Sequence, residues 1–128
     1  SLVFQDHNLI DYLTPEENLR LVNPKADMKI LEDLGLSREE SKRNIMHLSG
    51  GQRQRVAVGR ALVAPGRAIL ADEPTGSLDP EMTDEVIDLL RHAAHQLGKC
   101  VIVVTHSKRV ADSADAVYTL RHKKLAKA

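Results

Sequence analysis

The chain has 128 residues, 42% hydrophobic and 28% charged, which is enough for one domain with a modest core. Its 18 basic residues balance 18 acidic ones, so bulk charge does not attract it to nucleic acid, and we expect no nucleic-acid partner. No apolar run is long enough to cross a bilayer, so we expect no direct membrane insertion, and the single Cys100 excludes an internal disulfide.

Short helices are predicted first along the chain. Thr14 and Glu17 have the spacing of a capping box, with Pro15 at the first helical position. A second helix is predicted over residues 28–34 and a third short one from Ser37. The residues expected to cap and to end the second helix are Asp27 and Gly35.

Strands dominate the predictions for the second half. Unbroken apolar runs predict that residues 67–72 and 101–105 are strands buried on both faces, with Cys100 in the core. Residues 116–120 predict a last strand, followed by a turn at residues 121–124 and a solvated tail.

A helix starting at Pro80 has the clearest 3.6-residue period. Its predicted apolar face consists of Met82, Val86, Leu89, Leu90, Ala93 and Leu97. Asp79 is expected to cap its start and Gly98 to end it. The order of elements predicts an α/β core over residues 65–128, preceded by a helical part over residues 14–64.

Residues 48–56, LSGGQRQRV, predict the start of another helix. Ser49 can accept the amide proton of Gln52, whose side chain can return a bond to Ser49, while Gly50 and Gly51 allow close backbone approach. Free N–H groups and a positive dipole end make such a helix start favourable for an anion. On its own, the Ser-Gly-Gly-Gln string is equally typical of a well-capped surface helix.

Two adjacent carboxylates, Asp72 and Glu73, end the first buried strand. Ligands of parallel sheets bind at the carboxyl ends of strands. Asp72 suits Mg²⁺, which prefers hard oxygen ligands, and Glu73 could polarise an attacking water as a general base. An isolated Asp-Glu pair would more often be a plain acidic exit from a strand.

Several segments together resemble the ATP-binding domain of the ABC-type ATPases. Residues 48–56 resemble the signature motif, residues 68–74 (AILADEP) the Walker B motif and residues 74–79 the D-loop, with residues 77–79 matching its core. His106 stands after a strand, as the switch histidine of the H-loop does, and Gln5 follows an apolar pair, as in the Q-loop. A lone histidine after a strand is more often structural, so its role depends on the resemblance.

This resemblance implies an α/β fold: part of a P-loop NTPase core of the RecA-like type, with a helical ABC subdomain. It also implies contact with the γ-phosphate of an ATP held mainly by a second nucleotide-binding domain, through Ser49, Gly50, Gly51 and Gln52. His106 would contact the same phosphate and help organise the attacking water. Gln5 would sense both Mg²⁺ and that water, and Asp79 would communicate across a head-to-tail dimer.

The implied partners are transmembrane transporter subunits, and the implied location is the cytoplasm, peripheral on the inner face of the cell membrane. The string ADEPTGSLD looks most like exporters of the lipoprotein-release, macrolide and antimicrobial-peptide type. The membrane-subunit contact is expected near residues 6–17, which could also be an ordinary polar loop.

The P-loop sequence, the Walker A motif, does not occur in these residues: the only Gly-Lys pair, at Gly98 and Lys99, precedes a strand. We therefore interpret the chain as the carboxyl-terminal part of a nucleotide-binding domain and expect no ATPase activity from it alone. Two alternatives stay open at this stage: a non-catalytic interaction module, and an ABC-type ATPase of DNA repair.

Overall fold

The computed structural model describes residues 2–3 and 8–128, so the predicted role of Gln5 lies outside the described residues. The elements in chain order are β1 (Leu2–Val3), α1 (Pro15–Val22), α2 (Lys29–Asp33), α3 (Gly50–Val63), β2 (Ala68–Asp72), α4 (Pro80–His95), β3 (Cys100–Val104), α5 (Lys108–Asp112), β4 (Tyr118–Arg121) and β5 (Lys124–Lys127). None of the helices in the described residues is long and apolar enough to span a bilayer.

Strands β1, β2 and β3 form a parallel sheet in that order, with Leu2 opposite Leu70. Strands β4 and β5 form a separate antiparallel hairpin. His122 and Lys123 form its two-residue turn, and both have positive φ (50° and 64°), the backbone that matches the twist of a hairpin. The predicted turn is therefore confirmed. The end of the chain is solvated as predicted, since all side chains of β5 are exposed, but it is a strand and not a tail.

Sheet burial differs from the prediction of strands buried on both faces. In β2 only Ile69 and Ala71 are buried, and β3 alternates between half-buried and exposed side chains. One face of the sheet joins the hydrophobic core, while Leu70 and Ile102 on the other are exposed. The prediction failed because an apolar run does not show how many faces are covered. Cys100 is exposed, so its predicted place in the core is also wrong.

Helix ends follow the sequence signals at α1 and α4, whereas the predicted cap Asp27 is wrong, because α2 (Lys29–Asp33) has Met28 as its N-cap, and Met28 makes no side-chain cap bond. The predicted capping box is present at α1: Glu17 N donates to Thr14 Oγ1 at 3.1 Å, and Thr14 N to Glu17 Oε1 at 3.0 Å. At the end of α4, Gly98 has φ 67°, the left-handed backbone expected of a glycine that ends a helix, and Lys99 N donates back to Ala93 O at 3.0 Å. The third predicted helix is only a 3₁₀ turn, Glu40–Lys42.

Helix α3 passes through the hydrophobic core, which extends from the helices to the sheet. Val56 of α3, Leu19 of α1, Ile69 of β2 and Val86 of α4 belong to one buried cluster. Gly59 allows the close packing, because a Cβ there would lie 2.8 Å from Leu34 Cδ1. This packing fixes where both ends of α3 lie relative to β2.

The last carbonyls of α3 are bonded by side chains from both halves of the chain. Asn23 Nδ2 donates to Val63 O at 2.9 Å, and Lys99 Nζ donates to Ala64 O at 2.9 Å. A helix leaves its last carbonyls without intrahelical donors, so these two bonds satisfy groups that would otherwise need water.

Candidate functional site

The start of α3 has the predicted capping box. Gln52 N donates to Ser49 Oγ at 3.1 Å, and Ser49 N donates to Gln52 Oε1 at 2.9 Å. The amides of Gly50 and Gly51 lie in the first turn, where no intrahelical acceptor exists. A Cβ on Gly50 would meet no atom of residues 2–3 and 8–128 within 4 Å, so the described structure leaves the space beside that residue open. This helix start therefore fits a phosphate group.

Glu40 holds the signature glutamine in place from outside the helix. Gln52 Nε2 donates to one oxygen of Glu40, and Ser37 N donates to the other at 2.9 Å. The hydrogen bond from the Ser37 backbone is the main reason why the pKa of Glu40 lies below its ordinary value. Glu40 is therefore ionised at neutral pH, and its negative charge strengthens the hydrogen bonds from Gln52 Nε2 and Ser37 N.

Glu73, the first residue after β2, has a left-handed backbone with φ 47°. Such a conformation costs a non-glycine residue about 1–3 kcal/mol and is found disproportionately at functional sites. Its amide donates to Val104 O at 2.8 Å. Its carboxylate accepts from Thr105 Oγ1 at 3.2 Å and from His106 N at 2.8 Å. The strained backbone thus turns the Glu73 carboxylate toward the end of β3.

Asp72 lies at the carboxyl end of β2, His106 lies just beyond that of β3, and Asp79 lies at the start of α4. Asp72 is exposed at the end of β2, opposite Val104, so its carboxylate is available to a hard cation such as Mg²⁺. His106 is also exposed. Asp79 accepts the amide proton of Met82 at 2.8 Å and caps α4 as predicted. Within residues 2–3 and 8–128, no three acidic, His or Cys side chains are grouped closely enough to hold a metal ion.

Sequence reasoning missed Gln54 and Thr105 as members of the site. Gln54 is 1% exposed, and its Nε2 donates to Pro74 O at 2.7 Å, with Glu73 O at 3.5 Å. Thr105 binds the Glu73 carboxylate. The signal for Gln54 was available, since a polar side chain placed among the buried residues of a helix needs a partner.

Arg55 and Arg60 are two arginines of α3. The structure gives both intramolecular contacts. Arg60 Nη1 donates to Asn8 O at 2.8 Å, and burial lowers the pKa of its guanidinium. Arg55 Nη1 contacts the sulfur of Met82. They connect α3 to the residues around it.

Residues 1–76 match the sequence profile of the family described as ABC transporter. The chain belongs to the ABC transporter family. The predicted membership is confirmed, and so is the α/β P-loop NTPase fold, because the ABC cassette MJ0796, solved as a post-hydrolysis dimer bound to ADP and Pi, superposes with a TM-score of 0.86. That match has 32% identity and covers 98% of this chain and 61% of MJ0796.

ABC transporter relatives include two proteins of the predicted subgroup. The lipoprotein-releasing system ATP-binding protein LolD of Rickettsia prowazekii is 42% identical over 131 residues, covering 94% of this chain and 58% of LolD. The macrolide export ATP-binding/permease protein MacB of Brucella melitensis is 43% identical over 129 residues, covering 93% of this chain and 20% of MacB. The chain therefore spans little more than half the length of LolD.

Proposed function

We propose that the protein containing this chain binds and hydrolyses ATP as the nucleotide-binding subunit of a membrane transporter. The observation that carries the proposal is the Glu73 carboxylate, held at the end of β2 by a strained backbone and by bonds from Thr105 and His106. Its place after a parallel strand is where α/β folds bind ligands. The names of LolD and MacB, and the ADP and Pi bound to MJ0796, agree with ATP as the ligand.

We assign phosphate binding to the start of α3. In this proposal the γ-phosphate of an ATP held mainly by a second copy lies against the four residues Ser49, Gly50, Gly51 and Gln52. The helix dipole and the free amides supply the attraction, and the capping box holds the backbone ready for it. Asp79 lies in the loop that would communicate with that second copy.

We assign the reaction to the carboxyl ends of β2 and β3. Asp72, together with Gln5, would hold Mg²⁺, which when bound supplies positive charge beside the phosphates. Glu73 accepts a proton from the attacking water and orients it, because its carboxylate is fixed by the bonds from Thr105 and His106. The imidazole of His106 is exposed and free to donate to the developing negative charge.

The rate of ATP hydrolysis by the whole encoded protein is the measurement that tests this function. Ser49→Arg places a bulky cation where the phosphate would bind, and we expect turnover to fall about 100-fold or more. Thr14→Arg is the matched control, since it removes the capping box of α1 and leaves α3 intact. Equal turnover by the Ser49 and Thr14 variants would contradict the assignment.

The 128-residue polypeptide by itself is expected to show no measurable ATP turnover. The reason is its lack of a P-loop sequence, whose backbone amides and lysine hold the β- and γ-phosphates in this class. Phosphate release by the purified polypeptide, compared with a sample lacking protein, measures this. Turnover that persists after further purification and disappears in Glu73→Gln would refute the expectation.

Gly50→Ala is expected to lower ATP turnover about ten- to a hundred-fold without destabilising the fold. The new methyl group meets no atom of the part of the chain that the structure describes, but it occupies the space assigned to phosphate. Stability should change by less than about 0.5 kcal/mol, measured by thermal unfolding. Glu81→Ala, an exposed substitution in the first turn of α4, serves as control. Unchanged turnover in Gly50→Ala would place the phosphate elsewhere.

We further propose that Tyr12 and Met46 contact the transmembrane subunits, at the inner face of the cell membrane. They are 79% and 66% exposed, and Ile45 N donates to Leu13 O at 3.1 Å, which joins the two segments. Tyr and Met are enriched in protein interfaces. The proposed contact lies within and beside the predicted residues 6–17, of which residues 8–17 are described.

Replacing both Tyr12 and Met46 by Ser is expected to reduce the membrane-bound fraction of the protein about ten-fold, while ATP turnover stays unchanged. Sedimentation of native membranes, followed by quantification of the protein, provides the measurement. Leu97→Ser is the control, because Leu97 is 57% exposed but follows the end of α4. An unchanged membrane fraction in the double variant would rule this surface out.

A further inference from the structure

We infer that Gln54 is a positioning residue that attaches the loop carrying Glu73, residues 73–79, to helix α3. Through this attachment the Glu73 carboxylate and the proposed phosphate-binding start of α3 keep their relative placement. This inference rests on the proposed function for its catalytic consequence. The link itself rests only on geometry.

Gln54 stands on α3 two residues after Gln52 of the capping box, and its side chain is almost wholly buried, at 1% exposure. Its Nε2 group donates to Pro74 O at 2.7 Å and lies 3.5 Å from Glu73 O. A buried amide nitrogen has two protons to satisfy, and both carbonyls belong to the loop that follows β2. The shorter bond is therefore a firm connection and the longer one a weaker addition.

Besides the bonds of Glu73 to the end of β3, the loop has hydrogen bonds of its own and packs on α3. Within the loop, Gly76 N donates to Glu73 O at 3.2 Å, and Leu78 N donates to Thr75 O at 3.2 Å. A Cβ on Gly51 would lie 3.3 Å from Ser77 O, so the loop backbone packs closely on the first turn of α3. The loop thus lies along α3, and the hydrogen bond from Gln54 to Pro74 O attaches it there.

The attachment has a consequence for Glu73 because its backbone is strained, with φ 47°. A strained residue keeps its conformation only when its surroundings determine it from several sides. Thr105 and His106 hold the carboxylate, whereas Gln54 holds the carbonyls of Glu73 and of the next residue. Without Gln54 the backbone can relax, and the carboxylate loses its fixed direction.

The first test replaces Gln54 by Met, which has similar length and no donor, in the protein as its gene encodes it. We expect kcat to fall about ten- to a hundred-fold while KM for ATP changes less than about three-fold. Amide exchange across residues 73–79 should accelerate about ten-fold or more, with the rest of the chain unchanged. Gln54→Glu, which faces the carbonyls with a carboxylate, should behave likewise. Gln96→Met, at an exposed position after α4, is the matched control.

Amide exchange tests whether Gln54 holds the loop, and kcat tests whether that hold matters for ATP hydrolysis. Faster exchange in residues 73–79 with an unchanged kcat would overturn the positioning role. Unchanged exchange would overturn the link as well. If the wild-type protein hydrolyses no ATP, the proposed function fails, and the exchange data still decide whether Gln54 holds the loop.

A measurement on the wild type covers the case in which the variants do not fold. The Gln54 side-chain amide protons, followed by NMR, should exchange with solvent at least about ten-fold more slowly than those of the exposed Gln96. Equal exchange rates would show that the bond to Pro74 is not kept in solution, and the inference would fall.

Discussion

ATP turnover is expected to fall by about 10²- to 10⁴-fold in Glu73→Gln, because an amide cannot accept the proton of the attacking water. The substitution keeps the shape of the side chain and one oxygen acceptor for the Thr105 hydroxyl or the His106 amide. We therefore expect nucleotide binding and thermal stability to change far less than turnover. Phosphate release and binding of a fluorescent ATP analogue, measured on the same samples, separate the two.

Glu85→Gln is the control for this change. Glu85 is an exposed residue of α4, and the same loss of charge there should leave turnover unchanged. A Glu73→Gln protein that retained more than about a tenth of wild-type turnover would remove Glu73 from the role of general base.

Leu34→Ala is expected to destabilise the fold by about 2–5 kcal/mol, the usual cost of a cavity at a fully buried leucine. Leu34 is 0% exposed and lies against Gly59 of α3. In the wild type, Gly59→Ala would bring a methyl group to 2.8 Å from Leu34 Cδ1, and crowding of this kind typically costs about 1–3 kcal/mol. In the Leu34→Ala background that clash disappears. Gly59→Ala should then stabilise the fold by up to about 1 kcal/mol through helix propensity.

Urea unfolding of the four proteins in this cycle gives the coupling energy between the two positions. We expect the double variant to be at least about 1 kcal/mol more stable than the sum of the two single effects predicts. Leu97→Ala, at an exposed position, should cost less than about 0.5 kcal/mol and controls for the chemical change. Additive effects of Leu34→Ala and Gly59→Ala would mean that the two residues are not in close contact.

Local structure was largely predictable from the sequence because its signals are local. Capping boxes at Thr14 and Ser49 need only residues three apart, and the end of α4 needs only Gly98. Burial of β2 and β3 was not predictable, because an apolar run does not reveal which faces other elements cover. Exposure of Cys100 follows from the same fact.

The candidate site was predictable as a set of residues but not as a set of contacts. Asp72 ends β2, Glu73 follows it and His106 comes shortly after β3, so their shared edge could be expected from a parallel sheet. The bond between Gln54 and Pro74 joins residues 20 positions apart, and no short motif specifies such a bond. The left-handed backbone of Glu73 was equally hidden, since glutamate rarely adopts it.

The single buried cluster that α3 shares with α1, β2 and α4 has a consequence for how the molecule melts. In the described residues, the predicted helical part (14–64) and the predicted α/β part (65–128) share one interior, because Val56 and Leu19 pack in the same cluster as Ile69 and Val86. Neither part can lose its structure without exposing apolar surface of the other. Calorimetry should accordingly record one cooperative endotherm for both parts.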